Sequence, residues 1–478
     1  MNFTTYNRDE IKPGILHFGV GGFHRAHQAN YLNQLMSQGE AKEWGLCGVG
    51  VLPGDAKMKE ALEENDGLYT LVIKNPDGTA EAETIGSIVD YVFAPEDPAG
   101  LLERLTDPAA RIVSLTVTEG GYNIDDATGK FKADNPAAVR YGETPREPQT
   151  AFGYITEGLR LRKEAGVPPF TVMSCDNLPG NGDVARTALV GQAKLSDPEF
   201  ADWIESSVAF PNSMVDRITP VTSPEDIALA ESLTGEAEPW PVVCEPFTQW
   251  VLEDNFTLGR PEFEKVGVQI VQDVRPYELM KLRLLNASHQ ALAHWGRLLG
   301  HTYAHEAATD PDLAEFVRKF LNQEARATLE AVSGIDVDEY VDTLFERFAN
   351  PAIQDTLARL ATDASERMPK FVLPTAWDLS AAGTAAPMAA AICAAWTKGM
   401  EESQDLGVAL EVSDRSWDQF AGLVKEGREA GNSKFLDYQA IFGELGGNPA
   451  FASAFDSVLQ DLRSRNAREV LREPNAKS

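Results

Sequence analysis

The sequence predicts an α/β Rossmann-type N-terminal domain followed by a mainly α-helical C-terminal domain. Three observations carry that expectation. The first half alternates short apolar runs with amphipathic stretches, the pattern of a parallel sheet with crossover helices. The first of those runs ends in a Gly-x-Gly turn that opens a helix. After about residue 277, strand-like runs nearly vanish and long Ala/Leu/Glu-rich helical patterns take over. At 478 residues the chain exceeds one ordinary core. The expected division is therefore 1–276 for the first domain and 277–478 for the second.

Strands are expected at Gly14–Val20, Gly45–Leu52, Ile88–Phe93, Arg111–Thr118 and Phe170–Cys175. Between the first two, Arg25–Gln38 reads as a helix, with Ala26, Ala29, Leu32, Leu35 and Met36 spaced for one buried face. The polar stretch Asn123–Pro148, bearing Gly and Pro, reads as a long surface excursion. A further strand-like segment spans Pro241–Leu252. In the second half, helices are expected over Asp310–Ala331, Val337–Phe348, Ile353–Ala361 and Ser416–Ala430.

The net charge of −31 argues against nucleic acid or an anionic membrane surface as a partner and disfavours self-association, so a monomer is expected. Cys47, Cys175, Cys244 and Cys393 are scattered and form no Cys-x-x-Cys pair, which suggests reduced thiols and a cytoplasmic setting. The polar N-terminus carries no apolar signal-peptide core, and no run reaches the length of a membrane span.

The most informative segment is Glu278–Gln290. At about 100° per residue, with Lys281 at zero, Glu278 falls near 60°, His289 near 80° and Asn286 near 140°. All four share the side of the helix that carries Leu282 and Leu285. A desolvated lysine there is expected to have its pKa lowered towards the range of a general base. Asn286 supplies a neutral donor for an alkoxide or carbonyl oxygen. A base beside an oxyanion donor on one rigid element suggests proton-coupled carbonyl chemistry.

In the first half, Gly19-Val-Gly21-Gly22-Phe23-His24 follows a strand and opens a helix. Gly19 and Gly21 match the first two glycines of a dinucleotide fingerprint, and His24 stands where the third is absent. Asp55, after the second strand, is an acid able to take adenosine ribose hydroxyls and repel a 2′-phosphate, which favours NAD over NADP. Thr118-Glu119-Gly120-Gly121 and Asn177-Leu-Pro-Gly180 end two further strands at the sheet edge where such folds bind ligands. Each of these segments also reads as a plain structural turn. His301 and His305 have metal-ligand spacing on a helix, but no acidic or cysteine pattern completes a site, so no metal is expected.

Together these motifs resemble the polyol-specific long-chain dehydrogenase/reductase family, and within it the mannitol 2-dehydrogenases. The likeness runs through Gly19–Gln28, Leu115–Tyr122, Ser174–Gly182, Phe210–Pro220, Glu245–Asp254 and the Lys281-x4-Asn286-x2-His289 signature. It implies a metal-independent NAD(P)-dependent enzyme that interconverts D-mannitol and D-fructose, and Asp55 falls where the family carries its NAD-selecting acid. Lys281 would be the general base, Asn177 and Asn286 the oxyanion pocket, and His289 the group orienting the sugar with Asp216 and Arg359. Glu278 is a further expected proton relay. Where the family shows Asp-Gly-Ser-x-Lys, this chain has Asp363-Ala364-Ser365-Glu366-Arg367, and Arg367 offers a wider planar fork. Arg359 and Arg367 keep a hexuronate reductase open, since they would clamp a carboxylate. An arabinitol dehydrogenase and a nucleotide-binding sensor without turnover stay open as well.

Overall fold

The computed structural model describes residues 4–125, 128–402 and 413–476. They form two compact units, Met1–Asn75 with Thr79–Arg275, and Pro276–Ser478 with Pro76–Gly78.

The strands of the first unit are, in chain order, β1 (Pro13–Phe18), β2 (Gly45–Gly50), β3 (Tyr69–Lys74), β4 (Ala80–Ile85), β5 (Ile88–Phe93), β6 (Ile112–Leu115), β7 (Ile124–Asp125), β8 (Lys130–Phe131), β9 (Thr171–Ser174), β10 (Ser213–Asp216), β11 (Val242–Cys244), β12 (Gln249–Glu253) and β13 (Gln269–Val271). The main sheet has the order β5-β2-β1-β6-β9, and every pairing in it is parallel. Strand order reverses direction between β1 and β6. That is the switch point of a doubly wound sheet, outside whose carboxyl ends ligands bind.

The strands are apolar because both faces are covered. Leu16, Phe18, Val49, Val113 and Val172 pack on one side with Leu101, Leu105, Ile155, Leu159 and Leu189. Ile15, Leu46, Ile88, Ile112 and Met173 pack on the other with Leu32, Leu35, Met36, Met58 and Leu62. Neighbouring residues of one strand therefore feed opposite cores, and the alternation of an exposed sheet is absent.

Each of the five expected strands is present: Ile88–Phe93 has the expected bounds, and the other four end earlier than expected. The expected helix Arg25–Gln38 is interrupted. Gly22–Ala26 and Gln28–Ser37 are separate helices, broken at His27 with φ −120° and ψ −89°. His27 is held there because its Nε2–H donates to the Gln249 carbonyl at 2.9 Å and its Nδ1 accepts from Gln28 at 2.8 Å. Pro241–Leu252 is two strands rather than one. β11 joins β3 and β4, whereas β12 joins β10 and β13, with Pro246 in the break. The Asn123–Pro148 excursion contains the small β7–β8 hairpin and a helix, Pro136–Glu143.

The second unit is helical. Val337–Phe348 is a helix as expected, and Trp417–Ala430 nearly so. The expected Asp310–Ala331 helix ends early, changing to a π segment at Phe320–Ala325 and a 3-10 turn at Arg326–Thr328. Ile353–Ala361 shrinks to Leu357–Leu360. An Ala-rich helix, Pro387–Glu401, is buried on nearly all sides and packs on Ala287–Leu298 and Pro449–Ser464.

Candidate functional site

At the switch point, β1 ends at Phe18 and the backbone turns through Gly19, whose φ is +90°. A Cβ on Gly19 would lie 2.2 Å from the Thr116 carbonyl oxygen, so only glycine fits there. The Thr116 hydroxyl donates to the Gly19 carbonyl at 2.7 Å and ties the turn to the end of β6. Around Gly21 the space is open, with nothing nearer a hypothetical Cβ than the Gly19 oxygen at 3.8 Å. Gly22 begins the next helix, and Phe23 stacks on His27 with ring centroids 4.9 Å apart. A tight turn beside an unfilled cradle fits a pyrophosphate.

Asp55 sits in the short 3-10 turn Pro53–Asp55 beyond β2. Its Oδ2 accepts the backbone N–H groups of Val51 and Leu52, each at 2.8 Å. The carboxylate thus fixes its own loop with one oxygen. Oδ1 remains available to a ribose hydroxyl, which one oxygen is enough to bind.

Thr118 and Glu119 follow β6 and are exposed, as is Asn177 beyond β9. Thr118 has φ +63° and ψ 166°, a region nearly reserved for glycine that costs about 1–3 kcal/mol elsewhere. Between these two strand ends lies Asp176, which the sequence motifs alone do not single out. It accepts Thr118 N at 2.8 Å, Val117 N at 3.0 Å and the Tyr122 hydroxyl at 2.6 Å. The turn after Asn177 is braced by fully buried Asn181, whose amide donates to the carbonyls of Asp176 and Ser213 at 2.9 and 2.8 Å. The signals available in the sequence are an aspartate just before Asn177 and an asparagine just after its turn. Asp216 closes β10 and is buried.

In the second unit the helix carrying Lys281 departs from the regular geometry expected of it. Arg275–Lys281 is α-helical, Leu282–Asn286 is a π segment and Ala287–Leu298 is α-helical again. The 100° spacing therefore does not hold across it. A π turn bonds residues five apart, and Lys281 and Asn286 are five apart. The 140° arc expected between them is accordingly narrowed. Lys281 and Glu278 are buried, at 6% and 8% exposure. The Asn286 side-chain oxygen is buried and has no hydrogen-bond partner in the structure. His289 is half-buried, its ring 4.7 Å from that of Phe348. A buried amide oxygen with unused accepting capacity is unfavourable unless a ligand completes it.

Arg359 and Arg367 also lie in this unit. The Arg359 guanidinium forks onto the two carboxylate oxygens of buried Asp355. Arg367 Nη1 donates to the Leu360 carbonyl at 2.9 Å and, more weakly, to that of Arg359 at 3.3 Å. His301 bonds to Asp310 at 2.9 Å, and His305 stacks on Tyr303. Among the described residues no group of three or more His, Cys, Asp or Glu side chains is arranged to hold a metal ion. Nor is any described helix long and apolar enough to cross a membrane. The four thiols are free and buried.

Comparison with known proteins accords with this division of parts. A family model for the mannitol dehydrogenase Rossmann domain matches residues 13–265, and one for the mannitol dehydrogenase C-terminal domain matches 273–463. The mannitol 2-dehydrogenase of Cereibacter sphaeroides is 43% identical over 468 residues, covering 98% of this chain and 97% of that protein. The structure of Pseudomonas fluorescens mannitol 2-dehydrogenase, a ternary complex with NAD and D-mannitol, is 42% identical with a TM-score of 0.89, over 99% of this chain and 96% of that one. A substrate-free D-sorbitol dehydrogenase structure is 38% identical with a TM-score of 0.90, over 98% and 96%. With both family models matched in order and relatives alike from end to end, the chain belongs to the mannitol dehydrogenase family of oxidoreductases.

Proposed function

We propose that the chain interconverts D-mannitol and D-fructose with NAD as cofactor. The observation that carries this reading is the π-modified helix, which sets Asn286 one π turn from buried Lys281. The likeness to a mannitol 2-dehydrogenase crystallised with NAD and D-mannitol supports the choice of cofactor and polyol.

Neutral Lys281 takes the proton from the substrate hydroxyl. Asn286 and Asn177 donate to the alkoxide that develops, which is worth several kcal/mol where water is excluded. NAD, when bound, accepts the hydride from the carbinol carbon. His289 binds a neighbouring hydroxyl and sets the sugar's orientation, with Asp216, Arg359 and Arg367 contacting the rest of the polyol. Glu278 passes the proton on from Lys281. Gly19, Gly21, Gly22 and Phe23 cradle the dinucleotide's phosphates, Asp55 takes its ribose, and Thr118 and Glu119 line its nicotinamide half. The base is an amine of the chain, so the chemistry asks for no metal.

Oxidation of D-sorbitol is the second reading, favoured by the likeness to a D-sorbitol dehydrogenase. A spectrophotometric screen separates these. D-mannitol, D-sorbitol and D-arabinitol are offered with NAD and NADP, and D-fructose and D-fructuronate with NADH. We expect the highest kcat/KM for D-mannitol with NAD. Turnover of fructuronate without fructose would overturn the proposal.

A further inference from the structure

Asp176 is the most constrained acid near the dinucleotide turn, and the mechanism above gives it no part. Its Oδ1 accepts Thr118 N and its Oδ2 accepts Val117 N and the Tyr122 hydroxyl. It is buried, 8% exposed, and burial pushes its carboxyl above the ordinary range while its three donors pull it back. Its own chain position fixes where Asn177 begins. Thr118, by contrast, is exposed and β-branched, yet it holds φ +63° with ψ 166°. Asn123 and Asp363 also have positive φ, but with ψ of 39° and 43° they lie in the ordinary left-handed helical well. Thr118 does not. A threonine persists in such a conformation only where its surroundings impose it. The bonds that impose it here are those from its own amide and its neighbour's to one carboxylate.

We propose that Asp176 is a positioning residue, whose two oxygens hold Val117 and Thr118 in a glycine-like conformation. That shape keeps the Thr118–Tyr122 turn in place for the dinucleotide and anchors the strand end that presents Asn177. The inference rests on the dehydrogenase reading for its ligand, though not for its geometry.

Asp176→Asn is nearly isosteric but replaces one acceptor oxygen with an NH2 group that faces an N–H donor. In the full-length protein, NADH Kd measured by fluorescence titration should rise about tenfold or more. Backbone hydrogen exchange across 115–122 should quicken by a similar factor. Thr118→Gly makes the conformation intrinsic to the chain. Alone it should raise Tm, because the strain is gone, and its own NADH Kd is the baseline against which the double variant is read. Added to Asp176→Asn it should recover most of the lost affinity, a rescue that a merely stabilising acid would not show. Unchanged exchange and affinity in Asp176→Asn, or no rescue in the double variant, overturns the inference. If Asp176→Asn does not fold, Thr118→Gly decides: a lowered Tm overturns it. An unsubstituted protein that binds no NADH would sink the dehydrogenase reading instead, and hydrogen exchange would still judge the clamp.

Discussion

His17 and His24 stack face to face beneath the glycine turn, with ring centroids 3.4 Å apart and planes 11° from parallel. The Thr116 hydroxyl donates to Gly19, so it accepts from His17 Nε2–H at 2.8 Å, and His17 Nδ1 accepts from the Ser114 hydroxyl at 2.8 Å. His17 is thereby fixed as a neutral tautomer. Burial lowers His17 to about 3, and burial with its charged neighbours takes His24 well below its ordinary value. His294, in the second unit, is likewise buried and lowered to about 3.

These shifts set the pH dependence of stability. A histidine depressed on folding contributes stability that is present above 6.5 and lost as pH falls below it. Each contributes about 1.4 kcal/mol per pH unit, so the three together contribute about 4. Glu324 runs the other way, because burial raises it to about 7 against the two amides it accepts. Its contribution is present below 4.5 and lost as pH rises through 7, offsetting about 1.4 kcal/mol per unit in that window. The histidines win. Urea midpoints should fall steadily from pH 6.5 to 5, and more steeply in Glu324→Gln. A midpoint that stays level from pH 7 to 5 would contradict this.

Asp55 is expected to act on two things at once. Asp55→Ala removes the acceptor for the Val51 and Leu52 amides as well as the free oxygen proposed for the ribose. NAD affinity should fall about tenfold, and discrimination against NADP should narrow because the charge repelling a 2′-phosphate is gone. Asp55→Asn keeps an acceptor for the loop, so it should retain more NAD affinity than Asp55→Ala while losing as much discrimination. Equal NAD/NADP ratios in the unsubstituted protein and both variants would remove Asp55 from the selectivity argument.

Lys281→Ala should reduce kcat by on the order of 10²-fold or more, with NADH Kd changed less than about threefold. Asn286→Ala should lower kcat by a comparable factor, about 10²-fold, if its amide meets the developing oxyanion. Steady-state rates and fluorescence titration read both variants. Undiminished mannitol oxidation in Lys281→Ala would refute the base assignment.

Much of the fold is legible in the sequence because the main strands are buried on both faces, which leaves apolar runs such as Gly45–Gly50. The β3–β4 hairpin is not. β4 reads Ala80-Glu-Ala-Glu-Thr-Ile85, a composition suited to a helix, and takes strand form by pairing with β3 as a charged edge. The Lys281 segment shows the same limit at the site. Its residues are readable as chemistry, but a helical wheel assumes constant spacing, and nothing local announces the π turn that tertiary packing imposes at Leu282–Asn286. Asp176 escapes notice because its partners, Val117, Thr118 and Tyr122, are more than fifty residues away and offer only backbone or hydroxyl protons.

The bond between Arg359 and Asp355 bears on substrate choice. An arginine that clamps a hexuronate carboxylate needs a bare fork, and here Nε and Nη2 are taken by Asp355 while Arg367 points Nη1 at backbone carbonyls. A substrate carboxylate approaching Arg359 would meet a guanidinium whose charge Asp355 already matches, and would be repelled by that buried acid. A hydroxyl carries no charge and can share the guanidinium. Fructuronate should therefore be reduced at least about 100-fold less efficiently than fructose. Asp355→Asn removes the competing charge and frees the fork, so it should narrow that ratio by raising kcat/KM for fructuronate while weakening mannitol through a less rigid Arg359. If the variant leaves the fructose-to-fructuronate ratio where it was, Asp355 has no part in excluding the uronate and the discrimination lies elsewhere in the site.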